Sequence, residues 1–408
     1  MRVGIIDGDL NYPPTSGKRL RSLHLLLPLA SRHQLVCVLR GQGDAAENAA
    51  CREFLRAHEI EAHIIDDPLP RKKGLGFYAR LASNLASPLP YSVASHYSPR
   101  FAQAVRSLFA DRPVDLWNLE WSGYRYAVEG LGGPVVLQAH NVDSLIWQRY
   151  YETATGLFQR AYVYRQWRKF ERFERGAFHR ADRVVFVSEA DATLAKERFQ
   201  LTNTAVVENG VDVKGYGVVR PQPGSRWILY MGSMDWRPNL DAVELLLSEI
   251  FPRVRQQLPQ AGLRLVGRKP PASLVRRVQR MPNVELHADV PDVKPLLAQC
   301  GVMAVPLRVG GGSRLKILEA LAAGLPVVST SIGAEGLHLT PGDDFTLAEG
   351  SEAMAAAVVQ ALRQPELAFA QARHGQKTVA KRYDWPRLAT QLEQVWESVR
   401  NCCTEVSP

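Results

Sequence analysis

The chain is poor in cysteine, and the five it has, Cys37, Cys51, Cys300, Cys402 and Cys403, are an odd number without metal-ligand spacing. That excludes a disulfide scaffold or zinc module and points to a reducing compartment, so a cytoplasmic location is expected. Long hydrophobic runs are also missing. The richest leucine stretch, Leu23 to Leu29, is interrupted by Pro28 and falls far short of the ~20 residues that cross a bilayer as a helix. The opening MRVGIID stops at Asp7 and has neither the charged start nor the cleavage site of a secretion signal. Any membrane contact is therefore expected to be peripheral, on the inner face of the cytoplasmic membrane. No low-complexity tract or solenoid-type repeat occurs.

What is present fits a globular enzyme of about two domains: 408 residues, 46% apolar and 22% charged. Against 41 acidic residues stand 50 Lys and Arg, a formal charge of +9. That excess favours anionic partners such as nucleotide phosphates, nucleic acid or lipid headgroups. Short β-branched runs alternate with helical segments, the pattern of parallel strands with crossover helices. In the first half these runs are Val3–Ile6, Leu35–Leu39, Ala62–Ile65, Asp115–Leu119, Val135–Gln138, Val184–Val187 and Ala205–Val207. The second series is Trp227–Met231, Leu263–Val266, Val284–Leu286, Val302–Val305 and Val327–Ser329, and beyond Asp344 the chain reads as mostly helical. The stretch Val142–Arg180 is too long for one ordinary crossover helix and reads as kinked or divided. Glycine and proline between Asn209 and Arg226 read as linker rather than helix or strand. The expected organisation is an α/β fold with a first Rossmann-like domain over 1–210, a linker over 211–226, a second over 227–384, and a C-terminal helix, 385–408, returning to the first domain. Two doubly wound sheets facing a cleft would bind ligands at the carboxyl ends of their strands.

The strongest local motif is Gly310-Gly311-Gly312-Ser313-Arg314-Leu315-Lys316-Ile317-Leu318-Glu319, after a strand and opening a helix. Glycines let a ligand approach the backbone, and free N–H groups at a helix start favour phosphate. Arg314 and Lys316 oppose the helix dipole there, and a bound diphosphate would account for them. Glu319 has the chemistry to accept two hydrogen bonds from a ribose diol. The bland alternative is a glycine loop carrying solvated charges. Gly17-Lys18 is not a phosphate-binding P-loop, because Tyr12 stands where the earlier glycine belongs, and the spaced glycines of a dinucleotide fold also fail. Asp7-Gly8-Asp9 has the spacing of a divalent-metal carboxylate pair, a pattern frequent by chance. His140 and Glu120 each sit just past a strand end. Between Arg160 and Arg183 lie eight Arg or Lys with aromatic residues interleaved, which is either an amphipathic helix packed on the first domain or a face for anionic lipid headgroups. No zinc-finger or RNA-binding signature supports nucleic acid as a partner.

The segment GGGSRLKILEALAAGLPVVSTSIGAEGL, Gly310 to Leu337, resembles the donor-binding signature of retaining glycosyltransferases of family 4, the group 1 transferases of GT-B architecture. Gly232-Ser233-Met234-Asp235-Trp236-Arg237-Pro238-Asn239, Val266-Gly267-Arg268, Asn209-Gly210-Val211-Asp212 and Tyr383-Asp384-Trp385 resemble the same family in the same order. Ser87-Pro88-Leu89-Pro90-Tyr91-Ser92-Val93 and Gln138-Ala139-His140-Asn141 resemble its bacterial exopolysaccharide and exosortase-associated subgroup. The resemblance implies a transferase moving a sugar from a nucleoside-diphosphate sugar to an acceptor hydroxyl with retention, without metal or other cofactor. It implies donor contacts from Gly17, Arg237, Gly267, Arg268, Gly311, Gly312, Ser313, Arg314, Lys316 and Glu319, with a base frame that includes the segment near Val290. His140, Arg314 and Lys316 would be catalytic, and Lys18, Glu120 and Asn141 would lie on the acceptor side, facing a glycan, lipid-linked or free. The family signature has two glutamates separated by seven residues; Glu319 matches the second, and Gly311 stands in place of the first. A nucleotide-sugar epimerase of the same architecture and a non-catalytic sugar-nucleotide binding protein are the alternatives.

Overall fold

The computed structural model describes residues 1–309 and 314–404. Its contacts divide the chain into two units, Met1–Glu208 with Leu388–Pro408, and Asn209–Arg387. In the first unit, β1 (Arg2–Asp7), β2 (Gln34–Gly41), β3 (Glu61–Asp66), β4 (Leu116–Leu119), β5 (Val135–Ala139), β6 (Arg183–Phe186) and β7 (Thr204–Val206) form a seven-stranded sheet ordered β3-β2-β1-β4-β5-β6-β7. Every pairing is parallel. β1 beyond its first residue and all of β4 and β5 are buried, so these strands read as continuous apolar runs rather than as alternation. The order reverses between β1 and β4, which makes the carboxyl ends of those two strands the place for a ligand.

The C-terminal helix, Trp385–Thr404, completes this unit from Leu388 onward. Leu388, Ala389, Leu392, Trp396 and Val399 are all buried, one apolar stripe at helical spacing. On its flank Glu393 pairs with Arg32 and, at 2.6 Å, with His33. The long helical stretch is divided into Asp143–Thr153 and Leu157–His179, with Ala154 in extended conformation between them.

The second unit carries β8 (Trp227–Met231), β9 (Gly262–Gly267), β10 (Val284–Ala288), β11 (Val302–Val305), β12 (Val327–Ser329) and β13 (Thr346–Leu347). They form a parallel sheet ordered β10-β9-β8-β11-β12-β13, with its reversal between β8 and β11. β13 lies where the sequence reads as helix; two residues are too few to show a strand period. The segment read as featureless linker also differs. Val213–Tyr216 is a short helix whose N-cap, Asp212, accepts from the Gly215 N–H at 2.8 Å, and Val211 bridges to Asp384. Gly215 serves a tight capped turn there, a Cβ on it falling 2.0 Å from the Asp212 carboxylate. Among the described residues no helix is long and apolar enough to cross a membrane.

Candidate active site

In the second unit the residues at the β8/β11 reversal are packed so closely that two positions require glycine. A Cβ on Gly267 would lie 1.9 Å from the Gly232 carbonyl oxygen, and one on Gly232 would lie 2.7 Å from the Asn239 side chain. Asn239, near the start of the helix Arg237–Leu245, organises the corner. Its Nδ2 donates to the Ser233 carbonyl at 2.9 Å, while its Oδ1 accepts from Tyr230 Oη at 3.0 Å and from Lys316 Nζ at 2.9 Å. Lys316 Nζ also donates to Tyr230 Oη at 3.2 Å and lies 4.5 Å from the centre of that ring. Burial drives the Lys316 ammonium down to about 7, and the Arg314 charge pushes the same way against Glu319.

Arg314 is the N-cap of the helix Leu315–Ala322. It is buried, and its Nη2 donates to Glu335 Oε2 at 3.1 Å. Glu319, one turn further, is raised by burial, against the hydrogen bond from Tyr216 and the charges of Lys316 and Lys294. The Tyr216 ring carries Lys294 Nζ at 5.3 Å. Burial and the neighbouring carboxylate keep the Tyr216 hydroxyl protonated, so it donates to Glu319. Arg237 is exposed at the head of its helix. The Arg268 carbonyl accepts from Met234 N at 2.8 Å, and Val290 follows β10, half-buried. Gly311, Gly312 and Ser313 lie outside the described residues.

In the first unit the β1/β4 reversal brings together Asp7, Lys18, Glu120 and His140. Ser16 caps the helix Gly17–Ala30, accepting from Arg19 N at 3.3 Å. Lys18 of its first turn pairs with Asp7. Burial lifts the Asp7 carboxyl to about 7, against Lys18. Asp9 is held by Arg19 at 2.6 Å, so each carboxylate of the DxD pattern faces a protein cation. Glu120, just past β4, accepts from Ser22 Oγ at 2.6 Å and Asn118 Nδ2 at 2.8 Å, with His140 Nε2 at 3.2 Å. Burial works against the ionised form of Glu120, yet these hydrogen bonds and the Lys18 charge hold it below the usual carboxylate range. Burial lowers His140, against Glu120. Arg21 is buried and donates to the carbonyls of Glu208 and Val207 at 2.6 and 2.7 Å. Asn141, beside His140, is half-buried.

The sequence positions thus fall into two groups, one at each reversal. Tyr216, Tyr230, Lys294 and Glu335 in one, and Ser22, Asn118 and Trp396 in the other, escaped sequence reasoning. Asn118 and Glu120, two apart at a strand end, share a face, which is the one local signal that joins them.

Two doubly wound parallel units define the class: this is a GT-B fold. HepE from Anabaena, solved with UDP and glucose, has a TM-score of 0.69 at 16% identity and covers 98% of this chain and 100% of its own. Sucrose-phosphate synthase from Thermosynechococcus elongatus has a TM-score of 0.72 at 16% identity, with the same coverage. The model of Glycosyltransferase Family 4 matches residues 24–214 and that of Glycosyl transferases group 1 matches 225–364. The chain belongs to this family of group 1 glycosyltransferases. A glycogen synthase of Mycobacterium tuberculosis is 27% identical over 207 residues, 48% of this chain and 49% of that protein, so the match spans about half the length of that relative. A phosphatidyl-myo-inositol mannosyltransferase of Mycobacterium leprae is 25% identical over 351 residues, 80% of this chain and 85% of that protein.

Proposed function

We propose that the protein transfers a hexosyl group from a nucleoside-diphosphate sugar to an acceptor hydroxyl with retention, in the assembly of a bacterial surface polysaccharide or glycoconjugate. The observation that carries this reading is the corner at β8/β11, where Lys316 and Arg314 stand at a helix start with Glu319 one turn on. A diphosphate is the ligand that such a corner suits, with Glu319 on the ribose and Arg237, Gly267 and Arg268 around the donor. HepE, captured with UDP, supports a nucleotide at a fold of this kind.

No residue is placed as a covalent nucleophile, so the chemistry we assign is front-face substitution. The acceptor hydroxyl bonds to the anomeric carbon as the bond to the diphosphate oxygen breaks, and that oxygen takes the hydroxyl proton. Lys316 and Arg314 stabilise the leaving group in place of a metal. His140 orients the sugar, and Lys18, Glu120 and Asn141 lie on the acceptor side.

The acceptor is a glycan, lipid-linked in our reading, and the segment 160–183 supplies an anionic-membrane face. Its buried side, with Val163, Phe170, Ala177 and Phe178, packs on the first unit, while Leu157 and Phe158 at the tip of the helix are 85% and 93% exposed beside exposed arginines. Exposed apolar residues at a helix start, followed by the exposed Arg160, Arg165 and Arg168, suit the interface of an anionic bilayer.

The deciding experiment incubates the purified chain with UDP-, GDP-, ADP- and dTDP-sugars, with and without EDTA, following thermal shift and nucleoside diphosphate release. One base giving a shift and EDTA-insensitive release is expected. Isomerisation of the donor without acceptor would make the protein an epimerase, and binding without any turnover would make it a binding protein.

A further inference from the structure

The hydrogen bonds around His140 run back to the C-terminal helix, and each link has one permitted direction. The Trp396 indole N–H donates and never accepts; it lies 3.1 Å from the side-chain oxygen of Asn118, which also accepts from Gln138 Nε2 at 2.9 Å. The Asn118 NH2 group is thereby turned toward Glu120 Oε1, at 2.8 Å, while Ser22 Oγ donates to Oε2 at 2.6 Å. Glu120 is 4% exposed and receives donors on both oxygens. A carboxylate so surrounded stays ionised and has no proton to give. The contact to His140 Nε2 at 3.2 Å then requires the imidazole to donate. The charged groups around that ring are Glu120 beyond β4, Lys18 and Arg21 from the helix Gly17–Ala30, and, through Lys18 and Glu120, Asp7 from β1. The two cations disfavour an imidazolium, as does burial.

We propose that Glu120, with its orientation fixed by Asn118 and Trp396, is a positioning residue that sets the tautomer of His140, placing the proton on Nε2 and leaving Nδ1 as a hydrogen-bond acceptor for a sugar hydroxyl. Only the nature of the ligand rests on the transferase reading; the tautomer follows from this unit's own hydrogen bonds. Among the described residues nothing donates to Nδ1. The C-terminal helix therefore reaches into the chemistry of the first unit: its Trp396 decides which way the Asn118 amide faces.

The test uses the full chain labelled with 15N-histidine, the His140 signal being assigned by its loss in His140→Ala. Long-range proton–nitrogen correlations in the wild type should show the Nε2–H form. In Glu120→Gln the Asn118 NH2 group selects the glutamine carbonyl, which turns the glutamine NH2 toward His140. The ring must then accept at Nε2, so its proton moves to Nδ1, and its pKa should fall by about 1 to 3 pH units with the loss of the negative charge. A wild-type ring protonated on Nδ1, or a variant with unchanged tautomer and pKa, would overturn the proposal. Should Glu120→Gln not fold, the wild-type spectrum still decides, together with Trp396→Phe, which keeps a packed ring and leaves Glu120 ionised and should therefore keep the Nε2–H form; a ring protonated on Nδ1 in that variant would also overturn the proposal. A protein with the Nε2–H form that responds to no nucleotide sugar would sustain this inference and remove the transferase reading.

Discussion

The two sheet reversals use opposite electrostatic designs. At β1/β4 the buried carboxylates, Asp7 and Glu120, are each met by donors from the protein itself, Lys18 on one, and Ser22, Asn118 and His140 on the other, while the buried Arg21 donates to two backbone carbonyls. At β8/β11 the group at the centre is a half-buried cation, Lys316, beside the buried Arg314, and its nearest partners are two neutral oxygens, those of Asn239 and Tyr230. Glu120, with donors on both oxygens, is a fixed structural charge, whereas burial lifts Asp7 to about 7 beside Lys18. A lysine held by neutral acceptors, and lowered by burial, gains most from an incoming anion. On the proposed reading, the same topology, repeated, serves orientation in one unit and leaving-group charge in the other.

The sharpest way to break that contrast is to remove the cations. Lys316→Ala or Arg314→Ala should slow transfer by roughly 10²-fold or more, the cost of losing one preorganised donor to a developing charge; near-normal turnover in both would end the diphosphate assignment. On the opposite side, Trp396→Ala should act through stability, costing about 3–5 kcal/mol for a fully buried indole. Denaturant unfolding would expose the error if the loss were under about 1 kcal/mol.

A smaller effect separates Glu319 from its support. Glu319→Ala should weaken donor binding, and Tyr216→Phe, which removes one hydrogen bond to that carboxylate, should raise the apparent donor KM by roughly tenfold with kcat little changed. An unchanged KM in both would contradict the ribose role. The gentlest test is pH. Lys316, with its pKa lowered to about 7, is protonated below that pH and neutral above it, so it must take up a proton to face a diphosphate at pH 8. Donor affinity should therefore fall as pH rises from 6 to 9. Lys316→Arg, charged throughout, should flatten that slope, and a slope unaltered in the arginine variant would place the titration elsewhere.

Much of this was legible in the chain. The β-branched runs located twelve strands, because in a parallel sheet covered on both faces a buried strand is a continuous apolar run. The positions of Lys316, Glu319, Lys18 and His140 after their strands were readable for the same reason. What lay hidden was partnership. Nothing near Tyr216 in sequence announces that a residue in a glycine- and proline-rich segment donates to Glu319, and Asn118 and Trp396 are 278 positions apart.

By itself the sequence determined the alternation of strands and helices, the two-unit plan and the chemical types gathered at strand ends, since these follow from local period and from the order of elements along the chain. Tertiary structure alone decided which of those groups are already satisfied. Hydrogen bonding and burial depend on which distant atoms meet, so Asp7 and Asp9 became ion-paired carboxylates, and Glu120 a buried anion hydrogen-bonded to His140. Lys316 became a lysine of lowered pKa, because the fold buries its ammonium against the oxygens of Asn239 and Tyr230.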